Sequence, residues 1–195
     1  MTTVATHEGE WTPSTRRRVL DTAVRLFSRY SFAGTSLQTI ADELGLTKAA
    51  IYYHFRTREH LLLALMAPIL TEIAKVVEAA EAERDAGARA DVMLTGYADI
   101  VAANRALAAI TTFDPSVRNV LREQPEWSAV IDRQFALLAD EDSGVAGGVN
   151  AAVVLTGLAG GASMASRHID DDTLRAELVD IGRRVLGLSE PESES

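Results

Sequence analysis

From Ser14 onward, apolar residues return every three or four positions with polar or charged residues between them, and the strict alternation of a half-buried strand is missing. That period belongs to helices, and Ala, Leu, Arg and Glu, all good helix formers, dominate the sequence. The pattern predicts an all-α chain. Ser14 or Thr15 is placed to cap a first helix whose inner face is Leu20, Ala23, Phe27 and Tyr30. Ser36 is placed to cap a short second helix with Leu37, Ile40, Ala41 and Leu44 inward, and Gly45 follows as a left-handed stop. Thr47 opens a third helix with Ile51 and Phe55 inward. Thr57 opens a fourth, which begins Arg58–Glu59–His60 and continues as a leucine series.

Pro68 is expected to kink or divide that fourth helix, and the border between an N-terminal head and a larger body is placed beside it. The body reads as further helices jointed near Gly87, Asn104, Asp114–Pro115, Gln124–Pro125, Asp140–Gly144 and His168–Asp172. Asp172 or Thr173 is placed to cap the last of them. The expected divisions are an arm over 1–13, a head over 14–66, a body over 67–188 and a charged tail over 189–195, with arm and tail disordered.

The chain has 195 residues, enough for one or two domains. Its net charge of −9 argues at first against a polyanionic partner. The distribution reverses this. Ser14–Leu65 carries eight basic and four acidic residues, net +4, whereas Pro68–Ser195 carries 11 basic and 22 acidic residues, net −11. A basic head on an acidic body implies two parts with different partners. There is no Cys, which excludes disulfides and Cys-ligated zinc. The opening MTTVATHEGEWTPS lacks a basic flank followed by an apolar run, so no secretory signal is expected and cytoplasm is the expected location.

The two short helices over 36–55, joined by a tight Gly turn with the small Ala41 at their crossing, form a helix-turn-helix pattern. A helix presented in this way enters the major groove and offers its N-terminal side chains to base edges. With Ile51 and Phe55 fixed to the core, Thr47, Lys48, Ala49, Ala50, Tyr52, Tyr53 and His54 are shared between the DNA-facing side and its flanks. Lys48 can donate to guanine or phosphate, and the alanines allow close backbone approach and contact with a thymine methyl. Arg16, Arg17 and Arg18 fall in the first turn of a helix, where the macrodipole disfavours each cation by a few tenths of a kcal/mol. A basic cluster set against that gradient points to phosphate contact.

The run TSLQTIADELGLTKAAIYYHFRTREHLL resembles the DNA-binding signature of the TetR family of bacterial transcriptional regulators. That signature is a Thr-Thr/Ser pair, three residues, Ile-Ala, a Gly-apolar-Ser/Thr turn, an apolar-Tyr-x-His-Phe run, and a Lys or Arg soon after. The resemblance covers residues 14–66. It implies an N-terminal three-helix helix-turn-helix DNA-binding domain followed by a helical ligand-binding and dimerisation domain. It also implies that Thr35 and Ser36 contact phosphate or cap, and that Gln38, Lys48, Ala49 and Ala50 face bases. Tyr52, Tyr53 and His54 would hold backbone or flanking edges, and Arg58 would clamp a phosphate. Two departures are visible: Ser31 stands where Gly often precedes the Thr pair, and Arg58 replaces the more usual Lys.

In the body, Leu174, Leu178, Ile181 and Val185 follow 4-3-4 spacing, a narrow seam suited to helix pairing. Ser143–Ser166 contains no charged residue, and its Gly144–Gly148 and Gly157–Gly161 pairs permit close helix approach. The segment is long enough for a bilayer, yet Asn150, Thr156, Ser163 and many Gly and Ala residues leave it only mildly apolar, so it reads as a dimer helix with no membrane partner. Met66, Met93, Tyr97, Ile110, Phe113, Trp127, Ile131 and Phe135 are candidates to line a cavity for a mainly apolar effector. The expected partners are a palindromic double-stranded DNA operator, a small-molecule effector and a second copy of the chain, with the ligand releasing a repressor; an activator or protein-responsive regulator would use the same parts. No cofactor or metal is expected, since His54 and His60 are six apart and miss the helical ligand spacing. No catalytic residues are expected either: Gly157-Leu-Ala-Gly160-Gly161 lacks the strand before it and the Lys after it that a phosphate loop needs.

Overall fold

The computed structural model describes residues 13–139, 144–166 and 168–188; the expected tail and all but the last residue of the expected arm lie outside the described residues. Every regular element among the described residues is an α-helix. They are α1 (Pro13–Tyr30), α2 (Leu37–Leu44), α3 (Lys48–His54), α4 (Arg58–Glu81), α5 (Ala86–Ala103), α6 (Arg105–Phe113), α7 (Pro115–Arg122), α8 (Pro125–Leu138), α9 (Val145–Met164) and α10 (Asp171–Leu186). The chain forms two compact units, Met1–Leu65 and Met66–Ser195.

In the first unit α1 packs on α2 and α2 on α3. α1 opens at Pro13, whose fixed φ suits the first helical position, rather than behind a Ser14 or Thr15 cap. Its buried face is Val19, Ala23, Leu26 and Phe27, while Tyr30 is exposed and Leu20 is half-buried. Phe27 meets Phe32 edge to face, with ring centroids 5.2 Å apart. The Ser36 hydroxyl accepts from the Thr39 N–H at 3.0 Å to start α2, and Gly45 at φ 64° ends it with its N–H on the Ala41 and Asp42 carbonyls. Thr47 and Thr57 cap α3 and α4 in turn, accepting from the Ala50 N–H at 3.2 Å and the His60 N–H at 3.0 Å.

The turn between α1 and α2 is the tightest place in the unit. Ser31 takes φ 66°, a conformation costly for a residue with a Cβ, and its hydroxyl accepts from the Gly34 N–H at 3.1 Å. A Cβ at Gly34 would lie 2.1 Å from the Tyr30 carbonyl oxygen. Backbone cannot rotate aside as a side chain can, so Gly34→Ala is expected to destabilise the chain by about 1–3 kcal/mol. A urea titration checks this; an unchanged midpoint would mean the turn re-forms freely.

The second unit packs α5, α6, α8, α9 and α10 around one another. Two glycines permit the closest approaches: a Cβ at Gly96 would reach the Val76 methyls at 2.5 Å, and one at Gly182 would reach Leu94 at 2.3 Å. Arg183 on α10 grips Asp91 on α5 with two bonds of 2.7 and 3.0 Å. Arg105 donates to the carbonyls of Ser166 and Ile169 and to the Asp171 carboxylate, holding the α9–α10 connection. Two expectations need correction. Pro68 does not divide α4, which runs unbroken through it; buried Leu65, Met66 and Ile69 on either side hold the helix past the one missing backbone bond. The joint after α4 does lie beside Gly87, with Asp85 capping α5 by accepting from the Ala88 N–H at 3.0 Å. The α10 cap is Asp170, accepting from the Thr173 N–H at 2.8 Å, rather than Asp172 or Thr173.

Candidate functional site

α3 is seven residues long and makes few bonds of its own, so its orientation comes from what it buries. Ile51 is wholly buried and Phe55, its C-terminal cap, nearly so. The opposite face is left outward: Thr47, Lys48, Ala49, Tyr52 and Tyr53 are exposed, with Ala50 and His54 half-buried. Tyr53 is 83% exposed, a large aromatic surface for a monomeric protein to show water. Its ring meets that of His54 edge to face at 4.8 Å, and the Lys48 ammonium stands 5.2 Å from the Tyr52 ring centroid.

The start of α1 joins this face. The Arg16 guanidinium lies 5.9 Å from the centroid of the Phe55 ring. Burial, with Arg16 adding to it, holds the His54 imidazole below its ordinary pKa, so at neutral pH this histidine is a neutral donor and acceptor. Arg17 and Arg18 are exposed, Arg17 at the long distance of 3.9 Å from Asp21. Arg56, counted among the head's charges but not among its contacts, is also exposed; its position directly after the buried Phe55 was the available signal. Gln38 on α2 is half-buried, with its amide on the Asp42 carboxylate at 2.7 Å.

Thr35, expected at phosphate or as a cap, and Arg58, expected at phosphate, both make contacts within the fold. Thr35 is 1% exposed, and its hydroxyl donates to the carbonyls of Leu26 and Ser31 at 3.3 and 2.9 Å. Arg58 donates to the carbonyls of Phe32 and Ala33 at 3.4 and 2.9 Å and to Glu59 at 2.9 Å, with its guanidinium 4.8 Å from the Phe32 ring centroid. It pins the α1–α2 turn to the start of α4. Ser36 does act as a cap, on α2.

The second unit holds a cavity of about 550 Å³, within the usual range for small-molecule sites. Met66, Tyr97, Trp127 and Ile131 line it, as expected. Met93 and Ile110 are buried elsewhere in the core, and Phe113 and Phe135 lie largely on the surface, so these four do not. Burial raises the Tyr97 pKa, and the phenol donates to the Leu155 carbonyl at 3.1 Å. Gln134, overlooked from sequence, lines the cavity as well. Its signal was the 4-3 spacing of Trp127, Ile131 and Gln134, one face of α8.

The expected pairing seam also divides. Leu174 and Leu178 are buried within the chain, and a Cβ at Gly161 would lie 3.7 Å from Leu178, so these residues join α9 to α10 within one chain. Val185 is half-buried and Ile181 exposed. The outward apolar stripe lies instead along α9, where Val145, Val149, Val153, Gly157 and Met164 are exposed. α4 and α9 are both long and apolar enough to cross a membrane; α9, however, packs against α5, α6, α8 and α10.

Residues 19–65 match the family described as bacterial regulatory proteins, tetR family. The chain is 45% identical over 49 residues to YerO, an uncharacterised HTH-type transcriptional regulator of Bacillus subtilis, and 47% identical over 47 residues to the HTH-type transcriptional regulator AcrR of Shigella flexneri. These matches take in 25% and 24% of this chain but only 17% and 22% of those curated relatives. Over nearly the whole length the fold is that of the ketosteroid transcriptional regulator KstR2 of Mycobacterium tuberculosis, with a TM-score of 0.70 at 18% identity, covering 92% of this chain and 98% of that one.

Proposed function

Because residues 19–65 match the tetR family of bacterial regulatory proteins, we propose that this chain is a dimeric transcriptional repressor of that family that leaves a palindromic operator when a mainly apolar small molecule occupies its cavity. The observation that carries the DNA reading is the two-sidedness of α3. Ile51 and Phe55 lock one side, and Lys48, Ala49, Tyr52 and Tyr53 stand together on the other, beside the basic start of α1. Base readout falls to Lys48 and the alanine surface. Tyr52, Tyr53 and the arginines hold backbone.

The exposed α9 stripe, together with the exposed Ile181 on α10, supports pairing with a second copy, and a two-fold pair matches a two-fold operator with half-sites one helical turn apart. Val153→Glu places a charge in the middle of that stripe. The protomer should fold normally, since Val153 is 49% exposed, but sediment as a monomer and lose operator binding. A variant that stays dimeric would move the interface elsewhere.

α4 supplies the coupling. It starts with Arg58, which holds the α1–α2 turn, and continues through Met66, Ile69 and Ile73, which line the cavity. A ligand pressing on those three residues would act on the same helix whose first residues close the DNA-binding unit. A preference of 1–3 kcal/mol for one α4 position is enough to change operator affinity 5- to 150-fold. The experiment is selection of bound fragments from the host genome, starting with DNA beside the gene, followed by titration of small molecules against the bound complex. No enriched fragment at low ionic strength rejects the regulator reading. An enriched fragment that no compound releases rejects the ligand response.

A further inference from the structure

The cavity wall carries several polar side chains, and their donors have local employment. Tyr97 donates to the Leu155 carbonyl, Asn104 to Ile100, Thr111 to Leu107 and Ala108, Ser128 to Arg122, and Thr156 to Ala152. Gln134 differs. It is 1% exposed, and its amide nitrogen has no hydrogen-bond partner among the described residues. Native proteins rarely leave such a donor buried and unpaired, because it loses water on folding and gains nothing in return. The apolar part of the cavity lining includes Met66, Ile69, Ile131 and Leu155, and the lining acid, Asp132, is exposed. The arginines that also line the cavity, Arg118 and Arg122, are exposed residues, and the Arg118 guanidinium already donates to the Thr112 carbonyl.

We infer that Gln134 is the specificity-determining residue of the cavity, donating through Nε2 to a neutral acceptor oxygen, a ketone, ester or amide carbonyl, on an otherwise apolar effector. This rests on the reading of the cavity as the effector site. A buried carboxylate fits poorly, because it would give up its hydration for a single neutral donor. A plain hydrocarbon would leave the amide unpaired, as it is without ligand.

The test uses three probes of matched length on the full chain: 2-undecanone, undecane and decanoate. Trp127 lines the cavity, so binding is read from its fluorescence and checked by calorimetry. 2-Undecanone is expected to bind about tenfold tighter than either of the others. Gln134→Leu, close in shape but without the donor, should abolish that preference. It should also unfold at a higher temperature than the wild type without ligand, because an unpaired donor has been removed. A Gln134→Leu protein that keeps the ketone preference, or melts lower while binding all probes as before, overturns the inference and leaves the effector site standing. Tightest binding of decanoate overturns it too. If no probe binds the wild type, the effector-site reading itself falls, and this inference with it.

Discussion

Raising the salt from 50 to 200 mM is expected to weaken operator binding about ten-thousandfold. On the proposed function, two protomers presenting the exposed Arg16, Arg17, Arg18, Lys48 and Arg56 would make on the order of eight phosphate contacts, each releasing condensed counterions. The slope of log affinity against log salt is then near −7, and a fourfold rise in salt multiplies through as about 10⁴. The overall charge of −9 does not cancel this, because at these ionic strengths charges more than about 10 Å away are screened, and the acids are concentrated in the body. Fluorescence anisotropy on a labelled operator measures the slope. Lys48→Ala separates two roles: a phosphate contact lowers the slope by about one on every DNA, whereas a base contact changes preference at one position by about 1–3 kcal/mol. A slope shallower than about −2 would remove the arginine cluster from the interface.

Phe55→Ala should be the most damaging single truncation in the first unit, costing about 3–5 kcal/mol. The ring is 2% exposed, meets His60 edge to face at 5.7 Å, and lies beneath the Arg16 guanidinium. Its loss opens a void under the C-terminal end of α3 and removes the surface on which Arg16 is steered toward that helix. Domains are typically stable by only about 5–15 kcal/mol, so the unit would be partly unfolded at growth temperature and DNA binding lost with it. Chemical denaturation followed by circular dichroism tests this. A cost under about 1 kcal/mol would mean that Ile51 alone seats α3.

How much of this was legible in the sequence follows from the range of each interaction. The caps Ser36, Thr47 and Thr57 and the stop at Gly45 were readable because each is decided within four residues of itself. The carbonyl contacts of Arg58 were not legible because its partners lie 25 and 26 residues upstream, and a guanidinium beside an aromatic helix looks the same whether it faces phosphate or carbonyls. Those of Thr35 were not legible for the same reason, with one of its bonds reaching back nine residues to Leu26. In α10 the spacing of Leu174 and Leu178 was correct, but period alone does not say whether an apolar seam meets its own chain or another. α9 is apolar all round, so no period marks its outward side. Four cavity residues were found and four were not, since size and hydrophobicity do not separate a wall from a core.

α1 has no acid in its first turn and carries Arg16, Arg17 and Arg18 as its fourth to sixth residues, the reverse of what a helix start favours. On the proposed function, a DNA phosphate would supply there the negative charge that an aspartate would otherwise have supplied. If that contact forms, amide exchange at residues 14–18 should slow on the operator more than in the interior of α1, and part of the binding energy would be consumed in steadying this end of the helix.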